Sequence, residues 1–104
     1  DILFELSNST NMWEQRIAIV TTLAFVRNRN FTTALTLAEK YLTHTHDLIH
    51  KATGWVLREI GKKNIDVLRH FLNTHALHMP RTTLRYAIEK MSQDERKHYM
   101  ELGK

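Results

Sequence analysis

The 104-residue chain has no cysteine, one proline and three glycines. Without thiols it can make no disulfide and no thiolate metal site, which fits a reducing, intracellular setting. So few breakers leave little room for a loop-rich or all-β fold. No apolar run approaches the ~20 residues of a membrane span, and no secretory signal pattern opens the chain. Negative charge is also in short supply. Asp and Glu number 11 against 15 Lys and Arg, a net charge of +4. That balance favours polyanionic partners through long-range attraction. The rest is ordinary globular composition, 42% hydrophobic and 25% charged, enough for one domain with a modest core.

Helical periodicity predicts six helices and no strand. The first runs from about Met12 to Asn28, capped by Asn11 or Ser9, and the second from about Thr33 to Thr43. The third covers Asp47 to Lys62, with Thr45 or His46 at its start. The fourth covers Ile65 to Thr74, capped by Asn64. The fifth begins at Pro80, whose missing N–H is not needed in a first turn. The sixth begins at Ser92, where "SQDE" makes a capping box with Glu95. The helices also pair in sequence. "RIAIVTTLAFVRNRNFTTALTLAEKYL" lies over "HKATGWVLREIGKKNIDVLRHFLNTHA" at an offset of 34, matching Ala18 with Ala52, Leu23 with Leu57, Val26 with Ile60 and Asn30 with Asn64. One step further, Ala52 matches Ala87 at 35. A helix pair repeated at this period predicts an all-α solenoid, with a plain helical bundle as the alternative. The chain opens on Asp1, and "DILFEL" reads as the tail of an apolar element, so a fragment or processed chain is expected.

The stretch "IHKATGWVLREIGKK", residues 49–63, concentrates the functional question. At about 100° per residue, Lys51, Trp55, Arg58 and Lys62 share an arc of roughly 60°, while Ile49, Ala52, Val56 and Ile60 cluster on nearly the opposite side. The core face has its apolar residues without Trp55. Two readings follow. Trp55 packs at the edge of the core, or it meets sugar and base edges while its cationic neighbours hold phosphates. The cations in turn either form a solvated face, with Arg58 paired to a carboxylate, or line a duplex backbone. Arg16 poses a similar choice on its largely apolar helix. It either points into a groove or lies buried against an acid, since an unpaired buried guanidinium is costly.

Other candidates are weaker. Trp13 reads as core or as packing at the start of its helix. Arg81 and Arg85 could touch phosphate or pair with Glu39 or Glu59. In "HTHDLIH", His46 and His50 stand at i, i+4, a spacing able to chelate zinc, with His44 and Asp47 nearby. No HExxH pattern accompanies them and Lys51 adds a repelling charge, so a surface cluster is expected and no metal or cofactor. No Gly-rich phosphate loop or serine-nucleophile elbow is present.

The "KATGWVLREIGK" core resembles the DNA alkylation repair enzyme family, the AlkD-like DNA glycosylases. "SNSTNMWEQRIAIV" is similar to the family's Trp-x-x-Arg helix opening, and "MPRTTLRYAIEKM" to its C-terminal segment. The resemblance implies a superhelix of HEAT-like helix pairs with a concave, positive groove for double-stranded DNA carrying alkylated purines. It implies excision of cationic bases such as 3-methyladenine and 7-methylguanine, by N-glycosidic hydrolysis in base excision repair. By motif match Arg16 is the groove arginine and Trp55 one of the aromatics; Lys51, Arg58 and Lys62 complete the expected DNA-binding set. The family's catalytic aspartate and a second tryptophan precede the Trp-x-x-Arg helix. Asp1 stands only 15 positions before Arg16 and matches no part of that motif. The expectation is therefore a single domain over residues 1–104, the C-terminal half of a longer enzyme. It should be a monomer in the nucleoid-associated cytoplasm, without a membrane and inactive alone. The alternative is a non-catalytic HEAT-like module binding DNA or protein.

Overall fold

The computed structural model describes residues 2–102, so Asp1 lies outside the described residues. Among them the chain is all helical: α1 (Ile2–Ser7), α2 (Met12–Thr21), α3 (Leu23–Arg27), α4 (Thr32–Tyr41), α5 (Asp47–Lys63), α6 (Ile65–His75), a 3₁₀ turn (Ala76–His78), α7 (Arg81–Ala87) and α8 (Gln93–Leu102). The architecture is consistent with a helical repeat. The predicted first helix is two helices. Thr22 is buried at the junction and its Oγ1 donates to the Ile19 carbonyl at 2.5 Å, a back-bond that competes with the backbone ladder and tightens the turn. Residues 2–7, expected to be the tail of an apolar element, form a short helix packed on α2.

Caps explain most boundaries. Asn11 Oδ1 accepts from the Trp13 and Glu14 amides, and His46 Nδ1 from Leu48. Asn64 ends α5 and starts α6 in a single residue. Its N–H donates to the Ile60 carbonyl at 2.8 Å while its Oδ1 accepts from Asp66 and Val67. Pro80 precedes α7 rather than opening it. The capping box at Ser92 is half made. Ser92 Oγ accepts from the Glu95 amide, but the Glu95 carboxylate goes to Arg69 at 2.7 and 3.1 Å, fastening α8 to α6. The guanidinium holds that carboxyl below the usual range.

The long α5 is the hub, packed against α2, α3, α4, α6 and α7. Ile49, Ala52, Val56 and Ile60 are all buried, as the helical wheel requires. The 34-residue matches share an environment. Ala18 and Ala52 are both buried, as are Leu23 with Leu57, Val26 with Ile60, and Ala87 at the third position. Asn30 does not share the capping role of Asn64, because α4 is entered through Phe31 with no side-chain cap. Gly54 sets the closest packing. A Cβ there would lie 2.5 Å from Tyr86 Cβ and 2.6 Å from the Thr83 carbonyl oxygen, so only glycine lets α7 approach this near. Thr83 Oγ1 adds a bond to the His50 carbonyl at 3.1 Å.

Candidate nucleic-acid interface

Close approach of α2, α5 and α7 leaves an open cleft of about 310 Å³ on one side of α5. Arg16 enters from α2, Lys51, Trp55 and Arg58 from α5, and Tyr86 from α7, over a floor that includes Ala52. Trp55 also walls a neighbouring cavity of about 210 Å³, where Arg27, Lys62 and Lys63 surround Glu59. The structure thus gathers Arg16, Lys51, Trp55 and Arg58 in one cleft and sets Lys62 next door.

Trp55 is half-buried and packs one side against the core while lining both cavities. It is therefore at the core edge and in the cleft at once. Arg16 is half-buried, and no hydrogen bond or ion pair engages it among the described residues. Of the two positions open to it, burial against an acid is not the one adopted; it points into the cleft. Three other cations are engaged. Lys51 Nζ lies 3.3 Å from Asp47, Lys62 Nζ 2.9 Å from Glu59, and Arg58 Nη1 2.6 Å from Glu89. The hydrogen bond from Lys51 keeps the Asp47 carboxyl below its ordinary range.

Trp13 departs from expectation. It is 60% exposed and stands outside the core, with Ile17, one turn on, 52% exposed. The buried face of α2 is Ala18 and Ile19, and about 100° per residue puts Trp13 nearly opposite their midpoint. Arg81 pairs with neither acid considered for it. Its Nη1 donates to the Met100 carbonyl at 2.9 Å, tying α7 to α8, and Glu59 is already engaged by Lys62.

Tyr86 was not among the residues picked from the sequence. The signal was present, because the 35-residue offset that matches Ala52 with Ala87 also matches Lys51 with Tyr86. The histidines are committed to the backbone. His44 Nδ1 accepts from the His46 amide, His46 Nδ1 from the Leu48 amide, and His50 Nε2 meets the His44 carbonyl. Among the described residues no group of three or more His, Asp or Glu is placed to hold a metal ion. None of their helices is long and apolar enough to cross a membrane.

A cleft joining an unpaired arginine, an aromatic and further cations on stacked helices is an arrangement suited to a nucleic-acid backbone. The family model described as DNA alkylation repair enzyme matches residues 1–91, and the chain belongs to that family. Its role is accordingly in DNA alkylation repair. The match takes in every cleft residue and stops before α8. No curated protein and no solved structure matches the chain.

Proposed function

We propose that the chain is the DNA-contacting part of an alkylpurine DNA glycosylase. The intact protein would hydrolyse the N-glycosidic bond of cationic bases of the 3-methyladenine and 7-methylguanine type. The observation that carries this reading is the cleft shared by Arg16 and Trp55, the two residues matched by motif to a groove arginine and a lesion-side aromatic. Lys51, Arg58 and Lys62 would extend the contact along phosphates. Residues 1–104 would form one HEAT-like domain, the C-terminal half of an intracellular, monomeric enzyme.

A cationic alkylated base is already a good leaving group, so the chemical demand is for negative charge near the developing oxocarbenium ion. No residue of this sequence matches the family's carboxylate motif. In this reading the carboxylate comes from the N-terminal half, and this half contributes binding and orientation. The purified chain should then release no 7-methylguanine from alkylated DNA while still binding duplex.

Salt dependence of duplex binding is the experiment. Each full phosphate contact contributes a log–log slope of about −0.9, and Lys62→Ala should reduce the magnitude of that slope by up to about one. A salt-independent association, or base release above a heat-inactivated control, would overturn the assignment.

A further inference from the structure

Six cations line the two cavities beside Trp55, namely Arg16, Arg27, Lys51, Arg58, Lys62 and Lys63, and three of them are held by carboxylates: Lys51 by Asp47, Lys62 by Glu59 and Arg58 by Glu89. The first two pairs lie within α5. The third is different. Glu89 comes from the turn after α7, so it crosses between elements to reach Arg58. At 2.6 Å this is the tightest of the three pairs, and the Arg58 side chain is only 19% exposed. Glu89 itself is 51% exposed and has Lys90 as a second cationic neighbour, at 3.9 Å. Arg58 is otherwise poorly satisfied. Its Nε is buried without a hydrogen bond, the Glu59 carboxylate lying 3.9 Å off.

We propose that Glu89 is a built-in competitor for the anion site at Arg58, holding the guanidinium until a DNA phosphate displaces it. The inference rests on the DNA-contact reading above and names what regulates that site. A carboxylate and a phosphate oxygen offer a guanidinium the same kind of charge-assisted bond. They cannot both take the same Nη1 direction. A duplex brings many phosphates at once and wins by its summed charge, whereas an isolated anion does not. Glu89 thereby suppresses weak, adventitious anion binding and sets the ionic strength at which DNA is released. Its exposed side allows the carboxylate to swing towards Lys90 as phosphate arrives. Each cation still held by its own acid contributes less than a full contact to the salt slope.

The test uses the full chain and a fluorescent, undamaged duplex, with Glu89→Gln, Arg58→Ala and the double variant. Melting curves establish that each is folded. Glu89→Gln should bind about two- to tenfold more tightly at near-physiological salt, with a log–log slope steeper by up to about one. In the Arg58→Ala background the same change should tighten binding less than twofold, because the competition no longer exists. Wild-type binding with no gain, or a loss, from Glu89→Gln would overturn this proposal alone and make Glu89 a residue that positions Arg58. An equal gain in both backgrounds would also overturn it, leaving a general charge effect. No binding by either the wild type or Glu89→Gln would overturn the DNA-contact reading itself, and this proposal with it.

Discussion

Arg29 donates from Nη1 to the backbone carbonyl of Lys63 at 2.9 Å, and the two residues are 34 positions apart. They hold the same place in successive repeats. The bond satisfies one of the free carbonyls at the end of α5 and places a positive charge at that helix C-terminus. Arg29 reaches it from a left-handed backbone, φ 60°, at the close of α3, where the Arg29 and Asn30 amides turn back to Val26 and Phe25. One repeat thus supplies the terminal partner of the next.

The approach of α7 to α5 should be intolerant of any side chain at position 54. Gly54→Ala puts a methyl against Tyr86 Cβ and the Thr83 backbone, neither of which can retreat without moving a helix. A loss of about 1–3 kcal/mol is expected, each kcal/mol being about 4–8 °C of melting temperature for a domain this size. Gly61→Ala is the control. Its methyl meets chiefly the Leu68 side chain, at a Cδ2 able to rotate. The alanine gains up to about 1 kcal/mol of helix propensity, so the stability should stay within about 1 kcal/mol of the parent. Equal losses at both sites would remove Gly54 from its role in positioning Tyr86.

Thr53 is buried in α5, and its hydroxyl has no hydrogen-bond partner among the described residues. An unsatisfied buried polar group costs about 1–3 kcal/mol. Thr53→Val keeps the shape and removes that cost, so the urea midpoint should rise by about 1 kcal/mol of stability with an unchanged m-value. A lower midpoint would show the hydroxyl to be bonded.

Stability should fall as the solution is acidified through the histidine range, with His44 contributing. Its Nδ1 accepts from the His46 amide at 3.0 Å, so the neutral ring carries its proton on Nε2, 2.7 Å from Gln15 Oε1. A second proton has no acceptor. Burial, then the neighbouring His50 and His46, hold the pKa below 6.5. The unfolded chain therefore binds more protons in this range. His44's contribution is complete above about 6.5 and lost as pH falls through the folded value. Melting followed from about pH 7.5 to about pH 5 should show the decline, and His44→Gln should make it shallower. An identical decline in the variant would assign the effect to other groups.

Much of the frame was legible in the chain because it is local. Asn11, His46 and Asn64 cap the helices they precede, and the apolar stripe of α5 is buried where its periodicity puts it. The split at Thr22 was not legible. It depends on a threonine being buried, which periodicity alone does not reveal. The same holds for Trp13, whose fate is set by which face of α2 the other helices cover. In the candidate site, Arg16 and Trp55 were paired by motif likeness alone, since patterning left two readings open for each, and the structure places both in one cleft. Tyr86 had a signal only in the 35-residue offset and Glu89 had none, because both depend on how closely α7 packs on α5 around Gly54. A salt bridge between residues 58 and 89 has no signature in either local segment.

Trp55→Ala, with duplex affinity and melting temperature read on the same sample, tests the cleft most directly. Trp55 is half-buried and lines both cavities, so its removal takes an uncharged surface from the interface. A DNA contact at Trp55 predicts binding weaker by about 1–3 kcal/mol in the variant. The salt slope should hardly change, and melting should fall well short of the ~3–5 kcal/mol typical of a fully buried tryptophan. A variant that melts far lower while its folded fraction binds duplex as tightly as the parent would contradict it, making Trp55 core architecture.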